Sequence, residues 1–212
     1  MKGIKFGTYH TYDDFNMILS EKKIGSPSPK IETVDVPGGD GVLDLTDYFG
    51  GVKYGNRSLS FDFSTITSQD EFMNLFSRVQ NALHGQKMKI VLDEDPDWYY
   101  IGRITVSEWK AEKNIGKLTI DCDCDPYKYK KDETVVLKTV SGSAIFNLLN
   151  NRKKVVPTII ATAAMTYSWG NNSRAVSAGT FRIPELELIE GNNVVTVTGT
   201  GTVTFRYQEG GL

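Results

Sequence analysis

Carboxylates, thiols and aromatics at short, regular spacing are the residues of this 212-residue chain whose types could do chemistry. Asp93, Asp95 and Asp97 are spaced like the opening of a calcium loop, where alternate side-chain oxygens converge on one hard cation. The rest of such a loop is missing: Pro96 interrupts it, no glycine stands at the sixth position, and the twelfth is Ile104. An acidic hairpin tip accounts for the triplet better. Cys122 and Cys124 lie two apart on an expected strand, so both point to one face. That is poor geometry for a mutual disulfide. Zinc needs about four ligands, and the chain adds only His10 and His84. Two buried thiols are therefore expected. The same alternation sends Asp121, Asp123 and Asp125 to the opposite face. Three such carboxylates repel one another unless solvated, so this face should be wet or line a polar cavity.

Catalytic constellations are not evident. There is no G-x-S-x-G elbow, and neither histidine sits in a catalytic motif. Gly38-Gly39-Asp40-Gly41 lacks the lysine and the following helix of a phosphate loop. Arg152-Lys153-Lys154 reads as a solvated turn. Tyr167 and Trp169, beside Gly170-Asn171-Asn172, could stack on a sugar ring, although aromatics in a β-sandwich are more often core. No catalytic, cofactor-binding or metal-binding set is expected. Hydrophobic residues at 40% and charged residues at 24% are ordinary globular values. The formal charge of −2 argues against a general nucleic-acid binder. No apolar run approaches the ~18 residues of a membrane-spanning helix, and the first residues do not read as a signal peptide. Two cysteines fit synthesis in a reducing cytoplasm.

The elements that must position these residues are nearly all strands. Ser68–Gly85 is the exception: Ser68 and Glu71 form a capping box, and Gly85 can close the helix. Phe72, Leu75, Phe76, Val79 and Leu83 form one apolar stripe, all expected to be buried. Before the helix, one or two strands are expected in residues 1–24 and an extended connector at Ser26–Pro29. Two short strands should flank the turn Pro37–Gly41. In SLSFDF, Leu59, Phe61 and Phe63 share a face. After the helix, Met88, Ile90 and Leu92 lead through the acidic tip to Trp98–Val106, a hairpin. A turn is expected at 111–114 and an outgoing strand over 118–125. Beyond residue 130 the aromatics thin and Thr, Val, Ala and Gly take over. The net charge changes from −4 over residues 1–130 to +2 over 131–212. Turns at Glu190–Asn193 and Gly199–Gly201 separate short strands, and Ala144–Asn151 is the one stretch that could form a helical turn. Two domains follow, 1–130 and 131–212, with a helix over 68–84 in the first and a β-sandwich or jelly roll in the second.

The ordered set VPGGDGVLDLT (36–46), YGNR (54–57), the alternating strand, the helix and the Lys87–Val106 hairpin resembles the N-terminal half of distal tail proteins of long-tailed phages. GTFRIPELELIEGNNVVTVTG (179–199) and VTFRYQEGGL (203–212) are similar to that family's C-terminal domain. The resemblance implies a mainly β fold with one flanking helix: a tail-tube-like β-sandwich followed by a galectin-like sandwich. It implies a virion structural protein rather than an enzyme, made in the host cytoplasm and placed at the tail tip. It further implies a homo-hexameric ring joining the tail tube protein to the tail-associated hub protein, with receptor-binding proteins carried in some relatives. DNA would pass through such a ring without stable binding, with no cofactor and no membrane insertion. A carboxylate-lined lumen would repel phosphate, which makes Asp121, Asp123 and Asp125 candidate lumen residues. The alternative is a carbohydrate-binding module that recognises a cell-wall glycan through Tyr167 and Trp169.

Overall fold

Ser68 starts a helix as its neighbours require. A computed structural model of the chain describes residues 2–48, 50–66, 68–112 and 115–212. In it, α1 spans Gln69–Leu83 behind Ser68 as N-cap. The Ser68 hydroxyl accepts the Glu71 N–H, and the Glu71 carboxylate accepts the Ser68 N–H. Two donors that every helix start leaves unpaired are thereby satisfied. His84 is the C-cap, followed by Gly85 at φ +76°. Phe72, Val79 and Leu83 are buried, while Leu75 and Phe76 are only half-buried. Phe76 lies at the stripe's margin, its ring 5.4 Å from that of Trp109.

The chain divides into two compact units, one ending at Lys128 and one spanning Tyr129–Gly211. In chain order the first contains β1 (Ile4–Phe6), β2 (Tyr9–His10), β3 (Ile18–Ile24), β4 (Pro29–Lys30), β5 (Thr33–Asp35), β6 (Val42–Asp44), β7 (Lys53–Tyr54) and β8 (Arg57–Ile66). After α1 come β9 (Lys87–Leu92), β10 (Trp98–Glu112) and β11 (Ile115–Cys124). An antiparallel sheet runs β2-β1-β9-β10-β11-β8-β3. Strict alternation along β8 and β11 buries Leu59, Phe61 and Phe63 with Leu118, Ile120 and Cys122, and Val79 and Leu83 of α1 complete that core. Bulges at Leu19/Glu21 and Val106/Glu108 interrupt β3 and β10, and such insertions increase twist. Of the expected 111–114 turn, residues 111 and 112 end β10, and 113 and 114 lie outside the described residues.

The boundary falls within β12 (Lys128–Lys130). The second unit then contains β13 (Thr134–Asn150), β14 (Thr158–Ala161), β15 (Met165–Trp169), β16 (Asn172–Val176), β17 (Gly179–Arg182), β18 (Gly191–Tyr207) and β19 (Gly210–Gly211). Two expectations fail here. Ala144–Asn151 is not helical, because residues up to Asn150 belong to β13. Gly199–Gly201 is not a turn, because β18 runs through it. The two strands pair from Thr134↔Tyr207 to Asn150↔Gly191, with Gly142 opposite Gly199.

At φ +84°, +147° and +148°, Gly142, Gly199 and Gly201 hold conformations that side chains disfavour. They bend the ladder. Lys138 Nζ donates to the Ile145 carbonyl at 2.6 Å, although seven residues of straight strand would span about 23 Å. The rings of Phe146 and Phe205 meet at 4.9 Å although their strand positions lie far apart. The sheet β16-β15-β18-β14-β17, with β13 along β18, thus folds over itself into a sandwich. Its core includes Val140, Phe146, Tyr167, Val197, Val203 and Phe205.

Candidate functional site

β11 lies between β10 and β8, and its alternation sorts thiols from carboxylates. Cys122 and Cys124 point into the core and are free thiols. Burial pushes both thiols up, Cys124 to about 12, with neighbouring negative groups adding to the shift. Neither is a useful nucleophile near neutral pH. Asp123 on the other face is exposed, and Asp121 and Asp125 are half-buried. The structure brings bases among them. Lys87 pairs with Asp125 at 3.2 Å, Asn56 donates to Asp123 at 3.1 Å, and the register places Arg103 directly beside Asp123. The face is wet, but it is a mixed-charge surface rather than an acidic wall. The hairpin register aligns Lys87 with Arg103 on this face.

The other sequence candidates separate. Asp93 accepts the Gly3 N–H at 2.6 Å and meets His10 Nε2 at 3.0 Å, whereas Asp95 pairs with Lys128 at 2.6 Å. Their oxygens serve different partners and do not converge. Among the described residues no group of three His, Cys, Asp or Glu side chains is placed to hold a metal ion. Arg152 pairs with Glu190 and Lys154 with Glu187, and Lys153 lies over the Tyr129 ring at 4.5 Å. Tyr167 is fully buried with its ring edge-on to Phe181 and Phe205. It presents no face to a sugar. Trp169 is half-buried and donates Nε1–H to the Glu185 carbonyl at 3.2 Å.

Sequence reasoning missed two features. The first is Glu209, buried near the end of the chain. It accepts from Lys130 Nζ at 2.8 Å, Asn151 Nδ2 at 2.5 Å and the Thr134 hydroxyl. Burial raises its pKa, but these donors outweigh it and leave the carboxyl below its ordinary range. The second is an arm between β3 and β8. There β4 pairs only with β7, and β5 only with β6, in two separate two-stranded ribbons. Ile31, Val34, Val36, Val42, Leu43 and Tyr48 on this arm are 49% to 77% exposed. Two-stranded ribbons are marginal in water without further packing, and contiguous exposed apolar side chains mark interaction sites. The turn residues 37–41 forecast the hairpin; nothing local forecasts that its apolar residues would stay uncovered.

The first unit is thus an antiparallel sheet with one capped helix, and the second a sandwich folded over itself. The chain belongs to the family of phage tail proteins with a RIFT-related domain, whose model matches residues 5–124. Its fold is also that of the Dit protein (gp 19.1) of phage SPP1, described as a paradigm of the hub adsorption apparatus in phages infecting Gram-positive bacteria. The two are 15% identical, with a TM-score of 0.72 over 98% of this chain and 99% of that one. No curated protein matches the sequence. No helix among the described residues is long and apolar enough to cross a membrane.

Proposed function

We propose that this protein is a hub of a phage tail tip. In this reading six copies close into a ring that joins the tail tube protein to the tail-associated hub protein. The second unit is available to carry receptor-binding or other peripheral proteins. Membership of the tail-protein family and the Dit-like fold of the whole chain support it. The observation that carries the self-assembly is the arm, whose Ile31, Val34, Val36, Val42 and Leu43 stay largely exposed among the described residues. Head-to-tail use of such an arm gives a heterologous contact, which closes into a ring when the rotation allows. Within this reading Asp121, Asp123 and Asp125 face the lumen, where exposed negative charge discourages DNA from adhering.

The mass of the purified protein in solution tests the assembly. Light scattering at high concentration is expected to give a hexamer of the 23.6 kDa chain. A variant with residues 31–47 replaced by a short Gly-Ser turn is expected to remain folded and monomeric. An armless protein that assembles like the wild type would remove the arm from the interface.

A further inference from the structure

The arm is acidic as well as apolar. Between Ser26 and Tyr54 it carries Glu32, Asp35, Asp40, Asp44 and Asp47 against Lys30 and Lys53 only. Register divides these residues between two faces. Val34 lies opposite Leu43 on one, while Thr33 lies opposite Asp44, and Asp35 opposite Val42, on the other. The second face thus presents carboxylates with a valine between them.

A matching pattern of opposite sign lies on the outer side of β1, β9 and β10. Lys5 is registered with Val91, Lys89 with Ile101, and Lys87 with Arg103. Val91 and Ile101 are half-buried, so they form a shallow aliphatic strip between exposed cations. Lys87 is engaged by Asp125. Lys5 and Lys89 have no carboxylate within ion-pair distance among the described residues, and Lys89 lies 4.3 Å from the centre of the Tyr99 ring. In its own chain Asp35, Val42 and Asp44 of the arm and Lys5 and Lys89 of the strip all remain exposed.

We infer that the arm face bearing Asp35, Val42 and Asp44 docks in a second copy of this chain onto the strip bearing Lys5, Lys89, Val91 and Ile101. This rests on the ring reading above and names the receiving surface of the acidic face alone; Val34 and Leu43 lie on the opposite face and are left to a separate contact. The occupant is a second copy because charge and apolar spacing complement each other within one sequence. Opposed charges then select the register, and the valine and isoleucine are dehydrated on contact.

Two charge-reversal variants test the inference: Asp35→Lys with Asp44→Lys, and Lys5→Glu with Lys89→Glu. All four positions are exposed, so the monomers are expected to stay folded, with Asp44→Lys giving up only the bond that its carboxylate accepts from the Thr46 N–H. Each variant alone is expected to self-associate about 100-fold more weakly, since like charges then face each other across the contact. Mixed in equal amounts, they are expected to recover assemblies of wild-type mass, because each reversed arm then meets a reversed strip. Raising the salt from about 0.1 M to about 1 M shortens the screening length from about 10 Å to about 3 Å and is expected to weaken wild-type assembly. If the wild type assembles but the mixture does not, the docking surface is wrong and the ring reading stands. If the wild type stays monomeric at every concentration, both fall.

Discussion

At the scale of single residues, Glu209 shows how a buried charge can tie together segments far apart in sequence. Its carboxylate is nearly enclosed and accepts from an ammonium, an amide and a hydroxyl. The Lys130 N–H donates to its backbone carbonyl at 3.0 Å. A carboxyl whose folded pKa lies below its ordinary value adds stability above the unfolded pKa. That stability is lost as pH falls through the folded value. Glu209→Gln is therefore expected to cost about 2–3 kcal/mol at pH 7, the scale of charged hydrogen bonds. The gap between wild type and variant should narrow below about pH 4, near the ordinary glutamate pKa. Urea unfolding at pH 7 and pH 3 measures both numbers, and a gap independent of pH would mean that the ionised form is not what matters. Sequence alone could not single out Glu209. Its partners Lys130, Thr134 and Asn151 are brought to it by folding across 58 to 79 positions. A lone glutamate near a chain end otherwise looks like any solvated one.

Among the elements, local signals were enough wherever one element closes on itself. Ser68 and Glu71 cap a helix through bonds three residues apart, and Leu59, Phe61 and Phe63 share a face through backbone geometry alone. The β13–β18 ladder departs from the expected turn because glycine has the same local meaning in a turn and at a corner. A signal was present all the same: Thr196, Thr198, Thr200, Thr202 and Thr204 keep one period of two through both glycines. A turn would have broken that phase. The corner leaves no room for side chains, since a Cβ on Gly199 would approach Met165 Cγ to 2.8 Å, and one on Gly201 would approach Met165 Cε to 2.7 Å. Gly199→Ala is expected to destabilise the protein by about 1–3 kcal/mol from backbone strain alone. Displacement of Met165 adds to that. A calorimetric melt of the variant checks it, and an unchanged melting temperature would show that the corner can form at other torsions.

For the whole molecule, the proposed assembly is what would give Asp121, Asp123 and Asp125 a role. In one chain Asp121, Asp123 and Asp125 lie on a face that also carries Lys87 and Arg103. The sequence revealed the three same-side acids, but not that cations on neighbouring strands come to lie beside them. The face is graded, with lysines on β1 and β9 and carboxylates toward β11 and β8, where Asp62 accepts from the Thr119 hydroxyl at 2.7 Å. If the basic side receives a neighbour's arm, its cations are neutralised there and the acidic side is left to face the passage. The field met by passing DNA is then more negative than the free chain suggests, and phosphate is repelled over roughly a screening length of 8–10 Å. A density map of the assembled ring is expected to place Asp121 and Asp123 on the inner wall. Asp121→Lys with Asp123→Lys should still assemble, because both residues lie outside the proposed docking strip. It should also make the ring retain duplex DNA in a salt-dependent way, as new phosphate contacts require. A map with all three carboxylates on the outer circumference would end the lumen assignment and leave the arm as the feature on which assembly rests.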